Sequence, residues 1–146
     1  MIIDSHTHIH EMRGKELVPE DLITSMDEAG IDYSILIADA FSGKGVSTQR
    51  VIEISKQYPR LKAVGNITYS TLDNNQVEMI KGYIKNKEIV GLKFFPGYEP
   101  FYPVDEKLLP LNELCTEYNV PVIFHTGIMV ETRKGLLKYS HPLNID

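Results

Sequence analysis

The sequence predicts a parallel α/β fold of the (β/α)-barrel type, and three observations carry that expectation. Apolar runs of strand length open at Met1, Asp32, Leu61, Ile89 and Val120, roughly every 30 residues, which is the repeat of a strand–helix unit. Between them, apolar residues recur at helical spacing. Histidines close the first and fifth runs, and the C-terminal ends of barrel strands are where such folds build their active sites. An open doubly wound sheet accepts the same alternation. Its dinucleotide-binding form needs a glycine-rich loop after strand one, and this chain has none there.

Each element has a local reason. Met1-Ile-Ile leads a first strand into His6-x-His8. Val18-Pro19-Glu20-Asp21 reads as a helix start, with proline in the first turn and acids at the positive end of the dipole. Leu22, Met26 and Ala29 follow on one face, and Gly30 is a natural stop. Tyr33 to Ala38 is a second strand and Asp39 to Gly45 a loop. Ser47 is an N-cap for a helix carrying Val51, Ile52, Ser55 and Tyr58, closed by Pro59. Leu61 to Ile67 is a third strand. Asp73 or Asn74 opens a helix with Val77, Ile80 and Ile84 on one face. Ile89 to Phe95 is a fourth strand, ended by Pro96-Gly97. An aromatic loop, Tyr98 to Pro103, leads to a helix from about Asp105 to Tyr118, regular only from near Pro110. Pro121 to Thr126 is a fifth strand, and His141 to Asp146 reads as the approach to another helix.

A full barrel takes about 250 residues, and this chain has 146. About four strand–helix units and a fifth strand therefore make an incomplete barrel of the TIM type. Residues 1–146 are expected to be the N-terminal part of a single barrel domain, completed by a C-terminal half or by a second copy.

The hydrophobic fraction is 42% and the charged fraction 24%, ordinary for a soluble globular chain. A net charge of −5 without a lysine- or arginine-rich run argues against nucleic acid or an anionic membrane as partner. The single cysteine, Cys115, excludes an internal disulfide and fits a reducing compartment. It falls in an apolar helical pattern, so it reads as packing rather than as a nucleophile. No stretch approaches the roughly 20 apolar residues of a membrane span, and Asp4 and His6 interrupt any signal-peptide core. The expected location is the cytoplasm.

His6 and His8 carry the functional argument. Side chains two apart on a strand point the same way, about 6–7 Å apart along it. Two imidazoles so placed converge on one metal ion, with Asp4 on the same face one pleat below. Imidazole suits zinc, iron, nickel and copper. His125 ends the fifth strand and in a barrel points toward the same mouth. Three neutral imidazoles with room for water form an open catalytic site, in which a divalent ion activates water and polarises a carbonyl. Zinc is the favoured ion, with manganese, iron or nickel as alternatives.

Three motifs together resemble the amidohydrolase superfamily: Ile3-Asp-Ser-His-Thr-His8, Val90-Gly-Leu-Lys-Phe-Phe-Pro96 and Pro121-Val-Ile-Phe-His-Thr-Gly127. More narrowly, they look like its amidohydrolase-related (amidohydrolase 2) branch of TIM-barrel metal-dependent hydrolases and decarboxylases. The resemblance spans essentially the whole chain, including Ser140-His-Pro-Leu143. It implies that His6 and His8 are the strand-one ligands and His125 the strand-five ligand. The family's further histidine after strand six and its strand-eight aspartate have no counterpart among these residues.

Lys93 lies inside an apolar strand, on the face of Gly91 and Phe95 that a barrel turns inward. It has a catalytic role, as an anion-binding or carbamylated lysine, or it snorkels to the rim. His10, Tyr98 and Arg133 are candidate substrate contacts at the mouth, with Phe101, Tyr102 and Lys134 beside them; packing or a solvated turn is the alternative for each. Asp39 and Asn66 end strands two and three, where they bond ligand or cap the chain. His141 reads as a loop residue.

The function expected is a metal-dependent hydrolase of a small molecule (an amide, ester or lactone) using metal-activated water. A decarboxylase or hydratase on the same platform is the nearest alternative. A phosphoesterase of the TatD or polymerase-histidinol-phosphatase type also begins with His-x-His, but strand four carries Lys93 where TatD-like nucleases have a metal-binding glutamate. An inactive half-barrel or fragment is the non-enzymatic alternative. Beyond the substrate, a homo-oligomer or the missing C-terminal half is the partner expected.

Overall fold

The computed structural model describes residues 1–9, 18–40, 45–127 and 136–145. Among these residues five parallel strands alternate with four α-helices: β1 (Ile3–Thr7), α1 (Pro19–Ala29), β2 (Tyr33–Ile37), α2 (Thr48–Gln57), β3 (Leu61–Asn66), α3 (Asn74–Lys85), β4 (Gly91–Phe94), α4 (Leu109–Glu117) and β5 (Val122–Phe124). Each strand joins the sheet beside its predecessor, giving the order β1-β2-β3-β4-β5. A doubly wound sheet reverses its order at a switch point; unbroken sequential order is that of a barrel wall. The sheet is a curled half-barrel, so the incomplete TIM-type barrel expected from the sequence is what forms.

Local chemistry sets the helix ends. Pro19 opens α1, and Gly30 closes it at φ +68° with its N–H returned to the carbonyls of Asp27 and Met26, a left-handed turn that costs glycine little. Ser47 caps α2 by accepting from the Arg50 N–H. At α3 the cap is reciprocal: Asp73 accepts from the Gln76 N–H at 2.9 Å, and the Gln76 side chain accepts from the Asp73 N–H at 3.2 Å. Asp73→Ala removes the side-chain arm of this capping box, leaves the backbone N–H of residue 73 to Gln76, and should cost about 1 kcal/mol in urea unfolding, with the slope m unchanged. Pro110 falls in the first turn of α4, where its missing N–H goes unused, behind a 3-10 turn over Glu106–Leu108.

Register divides the sheet into two faces. Leu36, Ala63, Leu92 and Phe94 lie on the helix side and belong to the main core. Val122 and Phe124 extend that layer, with the Phe124 ring stacked on Phe94 at 5.6 Å. Ile37, Val64 and Phe95 are buried yet lie outside this cluster, because strand alternation turns them to the concave side. Cys115 is buried in the helix-side core, and burial pushes its thiol up to about 11. It is a packing residue, as the sequence suggests. No helix among the described residues is long and apolar enough to cross a membrane.

β4 and β5 fall short of their apolar runs by three residues each, β2 and β3 by one. Pairing of β4 begins at Gly91, opposite Val64, and Val90 meets β3 only through its N–H to the Ala63 carbonyl at 2.8 Å. Among the described residues β5 pairs with β4 alone, over Val122–Phe124.

Candidate metal centre

Strand β1 positions the first two imidazoles through an irregularity. Asp4 pairs with Ser34 and Thr7 with Leu36, so three steps on β1 oppose two on β2. This bulge breaks the simple alternation between Asp4 and the histidines. Asp4, expected on the histidine face, instead stands in register with Ser34 and accepts the His6 backbone N–H at 3.1 Å. Thr7, in register with Leu36, turns to the helix side and ties β1 to β2 through its hydroxyl and the Ile35 carbonyl at 2.9 Å. His6 and His8 therefore take the concave face.

The two imidazoles meet there. Their Nε2 atoms are 3.1 Å apart and the rings stand at 59° to each other. Two ligands about 2.0–2.1 Å from a shared ion, at angles of about 90–110°, place their nitrogens about 2.9–3.4 Å apart. The second ring nitrogen of His8 is also provided for. Nδ1 lies 3.1 Å from the Ile37 carbonyl and 3.5 Å from Asp39 Oδ2. With Nδ1–H donating to these oxygens, the Nε2 lone pair is left for a cation. Asp39 is itself fixed, its Oδ1 accepting the Val46 N–H at 2.6 Å. Donor type, spacing and outer hydrogen bonds thus fit a divalent ion at the pair.

His6 carries a second adaptation. Burial lowers its pKa, the charge of Lys93 lowers it further, and Asp4 opposes both. The neutral imidazole, the form that ligates a metal, is favoured. Lys93 is 3% exposed, its Nζ 5.4 Å from the Phe95 ring centroid. Burial lowers its pKa to about 8. Asn66, in register with Lys93 on β3, donates to the Lys93 carbonyl at 3.0 Å and so fixes the strand rather than a ligand.

His125 follows β5 on the concave side, since Ile123 pairs with Lys93. Its N–H donates to the Phe94 carbonyl at 2.9 Å, and its ring packs against Tyr98 at 5.0 Å and Phe95 at 6.3 Å. Among the described residues, no group of three or more His, Cys, Asp or Glu side chains is close enough to hold a metal ion. The geometry thus brings His6 and His8 together, with His125 on the far strand of the same face.

Tyr98 lies against His125, their ring centroids 5.0 Å apart. Phe101 is core: it stacks on Tyr69 at 4.3 Å and is 1% exposed. Tyr102 packs on Tyr139 at 4.7 Å. Exposed His141 accepts the Leu143 N–H at 3.3 Å, capping a 3-10 turn. His10, Arg133 and Lys134 lie outside the described residues. One residue the sequence reading passed over is Glu99, buried in the loop after β4, whose carboxylate accepts the N–H groups of Tyr69 and Ser70 at 2.9 Å each. It holds the loops after β3 and β4 together beneath Tyr98. Its only signal in the sequence is an acid amid aromatic residues.

No protein-family profile matches the chain, and no curated protein sequence matches it. Solved structures do. An uncharacterised TIM-barrel protein from Bordetella bronchiseptica is 23% identical, with a TM-score of 0.74 over 99% of this chain and 60% of that one. A probable 2-pyrone-4,6-dicarboxylic acid hydrolase from Acinetobacter baumannii is 21% identical, with a TM-score of 0.62 over 86% of this chain and 49% of that one. A 5-carboxyvanillate decarboxylase from Novosphingobium aromaticivorans, solved with bound manganese, is 15% identical, with a TM-score of 0.69 over 89% and 44%. This chain therefore spans 44–60% of the length of these structures. At such identities the likeness defines the fold, and the fold is a section of a TIM barrel. The TIM-barrel fold that the resemblance of the three motifs implies is thereby borne out.

Proposed function

We propose that this chain forms the metal-binding wall of a cytoplasmic amidohydrolase-type enzyme that hydrolyses a small amide, ester or lactone. The observation that supports it most is the His6–His8 pair, whose Nε2 atoms stand 3.1 Å apart while the outer nitrogen of His8 is occupied by backbone and carboxylate. His6 and His8 would hold a divalent ion, zinc first and manganese next, and His125 would approach it from the fifth strand. When bound, such an ion supplies Lewis acidity toward water and a substrate carbonyl.

The chain's own groups prepare that site. Asp39 and the Ile37 carbonyl hold His8 in one tautomer. Burial, and after it the charge of Lys93 when protonated, favour the neutral form of His6. Phe95 and Tyr98 wall His125 with aromatic surface, which favours exclusion of water and contact with a substrate ring or chain. Tyr98, with His10 and Arg133, forms the substrate side of the proposal. A homo-oligomer, or further strands completing the barrel, is the partner that the exposed edges of β1 and β5 call for.

The test is calorimetric titration of the metal-free chain with Zn2+ and Mn2+. One ion per chain is expected, with binding lost in the His6→Ala/His8→Ala double variant. A folded chain that takes up neither ion overturns the reading. Decarboxylation is the second reading, supported by the decarboxylase among the structural relatives. Release of carbon dioxide from aromatic carboxylates, without turnover of lactones or amides, would select it.

A further inference from the structure

Two formally charged side chains are buried among the described residues, Glu99 and Lys93. Glu99 is satisfied by two backbone N–H groups. Lys93 is not matched in this way: no carboxylate among the described residues pairs with it, and its amine lies over the Phe95 ring, 5.4 Å from the centroid. Nor is its Nζ among the fully enclosed polar atoms that lack a partner, so the amine keeps an opening to the concave side. A compact, strongly hydrated ammonium is a poor occupant of such a place. A neutral amine with its lone pair free is a good one.

We propose that Lys93 Nζ is a carbonyl-reactive amine that takes a small aldehyde or ketone as an imine on the concave face of the sheet. The placement favours capture. Lys93 sits mid-wall, paired with Asn66 on one side and Ile123 on the other. Two residues before it Gly91 presents no side chain, and two residues after it Phe95 offers an apolar ring. Burial lowers the lysine's pKa to about 8, which raises the fraction of free amine near neutral pH. In the reaction the amine nitrogen bonds to the carbonyl carbon as the C–O π bond opens. One proton passes from nitrogen to oxygen through solvent to give the carbinolamine, and the second N–H proton follows as the hydroxyl leaves as water, giving the C=N bond. No oxidant or reductant is consumed. The inference needs neither imidazole nor metal, so it stands or falls apart from the proposed function.

The experiment traps the imine. Metal-free chain is incubated with glycolaldehyde or with pyruvate in the presence of sodium cyanoborohydride, which reduces C=N to a stable secondary amine, and peptides are mapped by mass spectrometry. The adduct on the Lys93 peptide should form about tenfold faster than on exposed Lys56, Lys85 or Lys138, as expected for an amine with the lower pKa. Lys93→Arg, which keeps the charge but cannot form the imine, should lose this fast adduct and leave the slow labelling unchanged. Equal rates at Lys93 and the exposed lysines, or an unlabelled Lys93, overturn the proposal. Mapping on the unsubstituted chain decides the matter even if the variant fails to fold.

Discussion

His6→Ala is expected to weaken divalent-metal binding by more than the roughly 10–100-fold that loss of an outer hydrogen-bond partner costs. The reason is geometric. Bidentate capture depends on two Nε2 atoms already 3.1 Å apart, and alanine leaves His8 as a lone ligand at this end of the site. Asp39→Asn should do less. It keeps an oxygen near His8 Nδ1 but removes the charge that steadies the tautomer, so it belongs within the outer-partner range. Calorimetry on both variants separates the two roles. The pH dependence has a definite sign. A metal displaces the proton of an imidazole, so binding fails as pH falls through the imidazole pKa. His6 has that value lowered, first by burial and then by Lys93. The acid limb of metal binding should therefore lie below the ordinary 6.5 of a histidine. Lys93→Met removes one of the two lowering causes and should move the limb upward.

What the sequence made legible was local. The Gly30 stop, the Ser47 cap, the α3 start at Asp73 or Asn74 and the first-turn position of Pro110 each involve residues within one helical turn, so the local sequence exposes them, whereas the reciprocal bond from Gln76 appears only in the fold. The strand repeat was legible for a related reason: strands buried on both faces read as unbroken apolar runs. Strand lengths were less so, because pairing depends on the neighbour. Ile89 and Val90 are as apolar as Leu92, but the β4 ladder starts at Gly91.

The candidate site divides along the same line. His6-x-His8 is a two-residue pattern and was visible at once. The bulge that turns Asp4 out of phase with it is a property of the β1–β2 register, and no residue of β1 announces it. Asp39 reads in sequence as an ordinary strand-end acid; its part in orienting His8 appears only when β2 lies beside β1. Phe101 and Tyr98 look alike in an aromatic loop. Tyr69, from the loop after β3, captures Phe101 for the core and leaves Tyr98 beside His125.

Lys93→Met is expected to stabilise the metal-free chain below about pH 8, and the gain should shrink as the pH rises. Burial lowers the lysine from its ordinary 10.5 to about 8. Below the lower value the amine is charged in both folded and unfolded chains, and the folded state bears the whole cost of holding an ammonium in an apolar wall. Between the two values the unfolded chain binds more protons than the folded one, so stability of the unsubstituted protein climbs with pH. Above 10.5 neither state is charged and the cost is gone. The drop in pKa corresponds to at most about 3 kcal/mol, and roughly 1–2 kcal/mol once the solvent that still reaches the amine is allowed for. Methionine matches the length of the lysine stem and brings no charge, so packing changes little. Urea unfolding of both chains at several pH values from 6 to 10 reads the difference directly. A constant difference across that range would mean that the amine is solvated in the fold. A difference that closes upward through pH 8 would show that the concave wall holds Lys93 in its neutral form, at a cost in stability that packing alone gives no reason to retain.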